Sequence, residues 1–178
     1  MLRALGRHLV KEFTRRSALA FFLAPIPFAL FSEMSKVFAF PAASDDSAPN
    51  GPWSASQTVV PDALAAELSA KEQAKKPMVV CVGFRPLYQG AHIPGASFHG
   101  AASTPKGIAD LKDWARAVPR AANVVLYCGC CPLRRCPNLK PAFLILRDMG
   151  FTNLRVLLLP NDFNTDWIEK GYAVEKAK

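Results

Sequence analysis

The chain has 178 residues, is 51% hydrophobic and carries a formal charge of +8, which allows one domain plus appendages. Residues 1–44 hold six basic and two acidic side chains, so the rest carries only +4. Its lysines and arginines are scattered apart from Arg134 and Arg135, which excludes the concentrated basic footprint of a nucleic-acid binder.

The first element is a targeting segment. Arg3, Arg7, Lys11, Arg15 and Arg16, opposed only by Glu12, precede an apolar run from Ala18 to Phe31. This is the order of an export signal. The run is short for a membrane span and is broken by Pro25 and Pro27, and Val37-Phe38-Ala39 offers small residues at a cleavage spacing. Thr14-Arg15-Arg16-Ser17 resembles a twin-arginine signal. The expectation is an export signal over 1–39 and a periplasmic product, reached by the twin-arginine or the general secretory route. The membrane is then met only transiently, unless the segment stays uncleaved as an anchor.

Residues 40–57 turn to Ser, Asp, Pro, Asn and Gly and read as a flexible linker, with Trp53 lacking an obvious partner. Leu64 and Leu68 then give a helix over Asp62–Lys71, closed by Lys75-Lys76-Pro77, and Met78–Val82 is a buried strand. Ile108, Leu111, Trp114 and Ala115 form a helical stripe before the strand Asn123–Tyr127. Ala142, Phe143, Leu146 and Met149 form another, stopped by Gly150 before a strand over Leu154–Leu159. Continuous apolar strands alternating with helices predict an α/β fold, with a central parallel sheet flanked by helices on both faces.

In such sheets sites gather at the carboxyl ends of strands. There the chain reads Cys128-Gly129-Cys130-Cys131-Pro132-Leu133-Arg134-Arg135-Cys136, four of its five cysteines in one loop. Loop amides and the start of the helix capped by Asn138 are expected to stabilise a Cys128 thiolate and to welcome an anion, with Arg134 and Arg135 as bidentate holders. Outside the cytosol neighbouring thiols pair readily. Cys136 is therefore read as a resolving or redox partner for Cys128, because adjacent Cys130 and Cys131 would be strained as a pair. Cys81, inside an apolar strand, reads as packing.

Three ordered segments carry a family resemblance. Tyr88-Gln89-Gly90-Ala91-His92-Ile93-Pro94-Gly95-Ala96, the strand Val124–Cys128, and Asp166-Trp167 followed by Gly171-Tyr172-Ala173-Val174 resemble the rhodanese superfamily. The resemblance implies a rhodanese-like domain over 58–178. It further implies a sulfurtransferase in which Cys128 takes a sulfane sulfur as a persulfide and passes it to a thiol or other nucleophile. Gly129, Cys130, Cys131, Arg134 and Arg135 would then line the substrate. His92, Trp167 and Tyr172 would be structural, and no cofactor is called for. The partners implied are a small sulfur-containing anion or thiol and a redox protein.

The departures open other readings. Cys81-Val82-Gly83 stands where the family often has Asp-Val-Arg, and the cysteine loop is longer than usual. Five residues separate Cys128 from Arg134, the spacing of Cys-x5-Arg phosphatases and arsenate reductases, although Pro132 deletes one amide donor such a loop needs. A non-catalytic thiol or copper(I) module is the third reading. The cysteine spacing is not the paired Cys-x-x-Cys of zinc sites, so no metal is assigned.

Overall fold

The computed structural model describes residues 51–72 and 76–177. The export segment 1–39 and the linker up to residue 50 lie outside the described residues. Among those described, no helix is long and apolar enough to cross a membrane.

Five strands, β1 (Thr58–Val59), β2 (Met78–Cys81), β3 (Ser97–Phe98), β4 (Val124–Tyr127) and β5 (Leu154–Leu157), form one sheet in the order β1-β5-β4-β2-β3. Every pairing is parallel. The central strand is Val-Val-Leu-Tyr, β-branched and bulky residues that suit a pleated surface, and all four are buried. Around the sheet lie α1 (Pro61–Ser69), α2 (Arg85–Gly90), α3 (Pro105–Arg116) and α4 (Leu139–Asp148).

Strand alternation deals the side chains to two cores. Val80, Val82, Val124, Leu126, Cys128 and Val156 pack with Leu111 and Ala115 of α3 and Phe143 and Leu146 of α4. Val79, Cys81, Val125, Tyr127 and Leu157 pack on the opposite face with Leu64 of α1 and with Phe163 and Trp167. The expected parallel sheet with helices on both faces is thus the observed one.

The elements differ from the expectation in detail. α1 ends at Ser69 because Ala70 is already extended, and β5 stops at Leu157. β1, β3 and the six-residue α2 were not foreseen, being too short to show a period. The packed body also reaches back past Thr58. Trp53 is buried, its ring edge-on to Phe143 at 5.5 Å, and Ala55–Gln57 form a 3-10 turn. The last part of the predicted linker is therefore core.

Truncating Phe143 to alanine should cost about 3–5 kcal/mol in urea unfolding of the full chain, and Trp53→Ala a comparable amount. The double mutant should fall short of additivity by about 0.5–1.5 kcal/mol because the rings touch. A Trp53→Ala midpoint indistinguishable from wild type would show that residues 51–57 do not pack.

Candidate active site

β4 delivers Cys128 to the carboxyl edge of the sheet, and Gly129 turns the chain there with φ +75°. Only glycine fits: its backbone is left-handed, and an added Cβ would lie 2.6 Å from Cβ of Phe163. The loop is pinned to the exit of β5 at two points, with Phe163 N–H donating to the Gly129 carbonyl at 3.1 Å and Leu133 N–H to the Leu159 carbonyl at 3.1 Å. Leu133–Arg135 make a 3-10 turn, and Cys136-Pro137-Asn138 lead into α4.

Three sulfurs converge. The Sγ atoms of Cys128, Cys130 and Cys136 all lie within 4.8 Å of one another, with Cys128 to Cys130 at 3.0 Å. Cys131 Sγ lies 3.2 Å from that of Cys130. Cys81 belongs to the opposite core and stands apart from the cluster.

Asn138 is tied to the thiols in a way its sequence position does not reveal. Expected as a helix cap, it makes no side-chain capping bond. It is fully buried, its Oδ1 accepts from Ser103 N–H at 2.8 Å, and its Nδ2 donates to Cys128 Sγ at 3.3 Å and reaches Cys130 Sγ at 3.9 Å. Gly83 is the second unforeseen neighbour. A Cβ there would stand 2.5 Å from the Cys128 carbonyl oxygen and 3.1 Å from its Sγ. A side chain there would collide with the Cys128 backbone, and the sequence signals it only by Gly83 standing where the rhodanese pattern often has Arg.

The charge in the cluster is not where the sequence suggested. Cys128 is 3% exposed, and its thiol is pushed up, because it donates to Cys130 and Cys136 and because it is buried. Cys130, half-buried, is pulled down to about 6, chiefly by the Cys128 thiol that donates to it. Cys136 is lowered as well, first by Cys128, and the leading amides of α4, those of Asn138 and Leu139, point at Cys136 rather than at Cys128. Cys131 is raised to about 12, by burial first and then by Cys130, and Cys81 to about 11 by burial. The cluster thus favours one thiolate, on Cys130 or Cys136, and resists a second. Cys128 holds its proton in the resting site, contrary to the expectation that helix and loop amides ionise it.

Arg134 and Arg135 are exposed, and among the described residues neither has a carboxylate partner. His92 is structural as expected: buried, stacked on Tyr88 at 4.0 Å, and paired through its backbone with Glu175. Trp167 is buried, with its indole N–H donating to the Ala173 carbonyl at 2.9 Å, while Tyr172 is half-buried beside it. A small, partly open cleft of 10 Å³ beside the loop, with room for about one water, is bordered by Cys81, Tyr88, Tyr127, Cys128, Gly129 and Phe163.

Solved structures share this arrangement of strands and helices. The rhodanese-like domain of an Anabaena protein superposes with a TM-score of 0.50 at 23% identity, over 68% of this chain and 80% of that one. A Bacillus halodurans protein superposes at 0.53 with 19% identity, over 68% and 77%. The fold is rhodanese-like. No family model matches the sequence, and neither does any curated protein. In this rhodanese-like domain the cluster sits where the fold leaves its central strand, on the edge where parallel sheets carry their sites.

In reduced protein, iodoacetamide should label Cys130 with a rate that climbs as pH rises through about 6 and then levels, because the reactive thiolate exists above the pKa. Cys131 and Cys81 should stay unlabelled at neutral pH. Asn138→Leu removes a donor to the sulfurs, so the Cys130 midpoint should move up by as much as about one unit. Peptide mass mapping reads all three; Cys128 labelled first at low pH would overturn this distribution of charge.

Proposed function

We propose that the protein is a sulfurtransferase that accepts a sulfane sulfur on Cys128 and passes it to a thiol. The observation that carries the reading is the buried Cys128 sulfur at the exit of the central strand, bonded to Asn138 and 3.0 Å from the more acidic Cys130. The rhodanese-like fold supports it. Export through residues 1–39 is part of the same proposal.

The chemistry follows from the shared proton. Cys130 thiolate takes the proton of Cys128 across their contact, leaving a Cys128 thiolate steadied by the Asn138 amide. That thiolate attacks the outer sulfur of a donor such as thiosulfate; an S–S bond forms, the donor's own S–S bond breaks, and sulfite leaves with the electron pair. Arg134 and Arg135 hold the anion while this happens. An acceptor thiolate then attacks the outer sulfur of the persulfide, leaving as a new persulfide and regenerating the Cys128 thiolate, which recovers its proton from Cys130.

Incubated with thiosulfate, the reduced full chain should gain one sulfur on the Cys128 peptide, and Cys128→Ser should lose this gain and all transfer to cyanide or thiols while staying folded by circular dichroism. Sulfur found on Cys130 instead, or release of phosphate from an ester without sulfur loading, would reject the reading.

Cys136 is proposed as a redox gate. Its sulfur lies within reach of Cys128, and exchange with an exported protein disulfide would join the two, the partner's disulfide being reduced to two thiols. The oxidised chain should be inactive and recover on mild reduction, whereas Cys136→Ser should need no reductant. Non-reducing peptide maps decide the matter: Cys128 free, with Cys136 bonded to Cys130 or Cys131, would make that bond a structural clip.

A further inference from the structure

We infer that Cys128, Cys130 and Cys136 together form a three-coordinate site for a soft monovalent cation, copper(I). The inference stands on the convergence of the three sulfurs and holds whether or not the same thiols carry sulfur.

Geometry comes first. Three thiolates about a common ion, each with a metal–sulfur bond of about 2.3 Å, stand roughly 4.0 Å apart in a trigonal plane. The observed cluster brackets that spacing, with 3.0 Å between Cys128 and Cys130 and every pair within 4.8 Å. The ligands sit on ordered backbone, Cys128 at the end of β4, Cys136 just before α4 and Cys130 after the Gly129 turn between them, and the Cys128–Cys130 pair opens from 3.0 Å toward the roughly 4.0 Å of the trigonal site. The number of ligands selects the metal. Among the described residues only these three His, Cys, Asp or Glu side chains converge in this way, and Cys131 stands outside the trio. Zinc in a structural site takes four ligands in a tetrahedron, all-thiolate sets included, whereas three thiolates suit copper(I).

The surroundings suit the charge. With one of the three already a thiolate, binding one copper(I) releases the other two thiol protons and leaves two net negative charges on the complex. Asn138 Nδ2 donates to two of the three sulfurs, and the amides of Asn138 and Leu139 face the third. These are the outer-shell donors that orient thiolate ligands and spread their charge. Arg134 and Arg135 lie in the same loop.

The test is an anaerobic titration of the reduced full chain with copper(I) against a chromophoric copper(I) chelator. One ion per chain should be retained, and X-ray absorption should count three sulfurs at a single distance. Cys130→Ser and Cys136→Ser should each weaken retention by at least about 100-fold, while Cys131→Ser should leave it unchanged. Three results would each overturn the site: no retention against the chelator, two-sulfur linear coordination, or retention lost with Cys131→Ser but kept with Cys136→Ser. The sulfur count is made on the unaltered protein, so it decides even if a variant misfolds.

Discussion

A strand buried on both faces leaves its last residue no gradual way out. Val124 to Cys128 are all buried, with neighbours on either side in the sheet, so the chain must turn at once where β4 ends. Gly129 makes that turn against Phe163, and everything that follows is arranged around it. Because the strand is central, the thiol it ends on is held by the most constrained part of the fold.

The loop is polar chemistry set on an apolar core, and one side chain reconciles the two. Asn138 spends its carbonyl on the Ser103 amide, which fixes which way the group faces and leaves its amino end for the sulfurs. The thiols divide the rest of the work. A single negative charge is easy to place and a second is not, since the sulfurs of Cys128, Cys130 and Cys136 lie within 4.8 Å of one another. This accounts for a buried Cys128 that keeps its proton beside a Cys130 that readily gives one up.

What the sequence reveals here is set by range. The strands Met78–Cys81 and Val124–Tyr127 announce themselves because burial on both faces leaves an unbroken apolar run, and Cys128 follows from the second of them. Asn138 looks like a cap because caps are local, whereas its true partner, Ser103, lies 35 residues away. Arg155 is hidden for the same reason. It interrupts β5, yet it is accommodated by two hydrogen bonds to Glu67, 88 residues earlier, on α1. Trp53 looked unattached because its contact, Phe143, lies on a helix far along the chain. The ordering of charge among four thiols is set by distances between sulfurs, which spacing alone does not fix.

The backbone at Gly83 lies so near Cys128 that an added methyl group would stand 2.5 Å from its carbonyl oxygen and 3.1 Å from its sulfur, and the neighbouring cleft, which Cys128 helps to line, has room for about one water. Anything added to that sulfur therefore finds little room on the Gly83 side. The reaction proposed here would be crowded as a result, since donor and acceptor must both reach a sulfur on a residue only 3% exposed. Bulk on an acceptor is tolerated only if it trails behind a slender reactive tip. This is a steric selectivity imposed in part by backbone packed close to the sulfur.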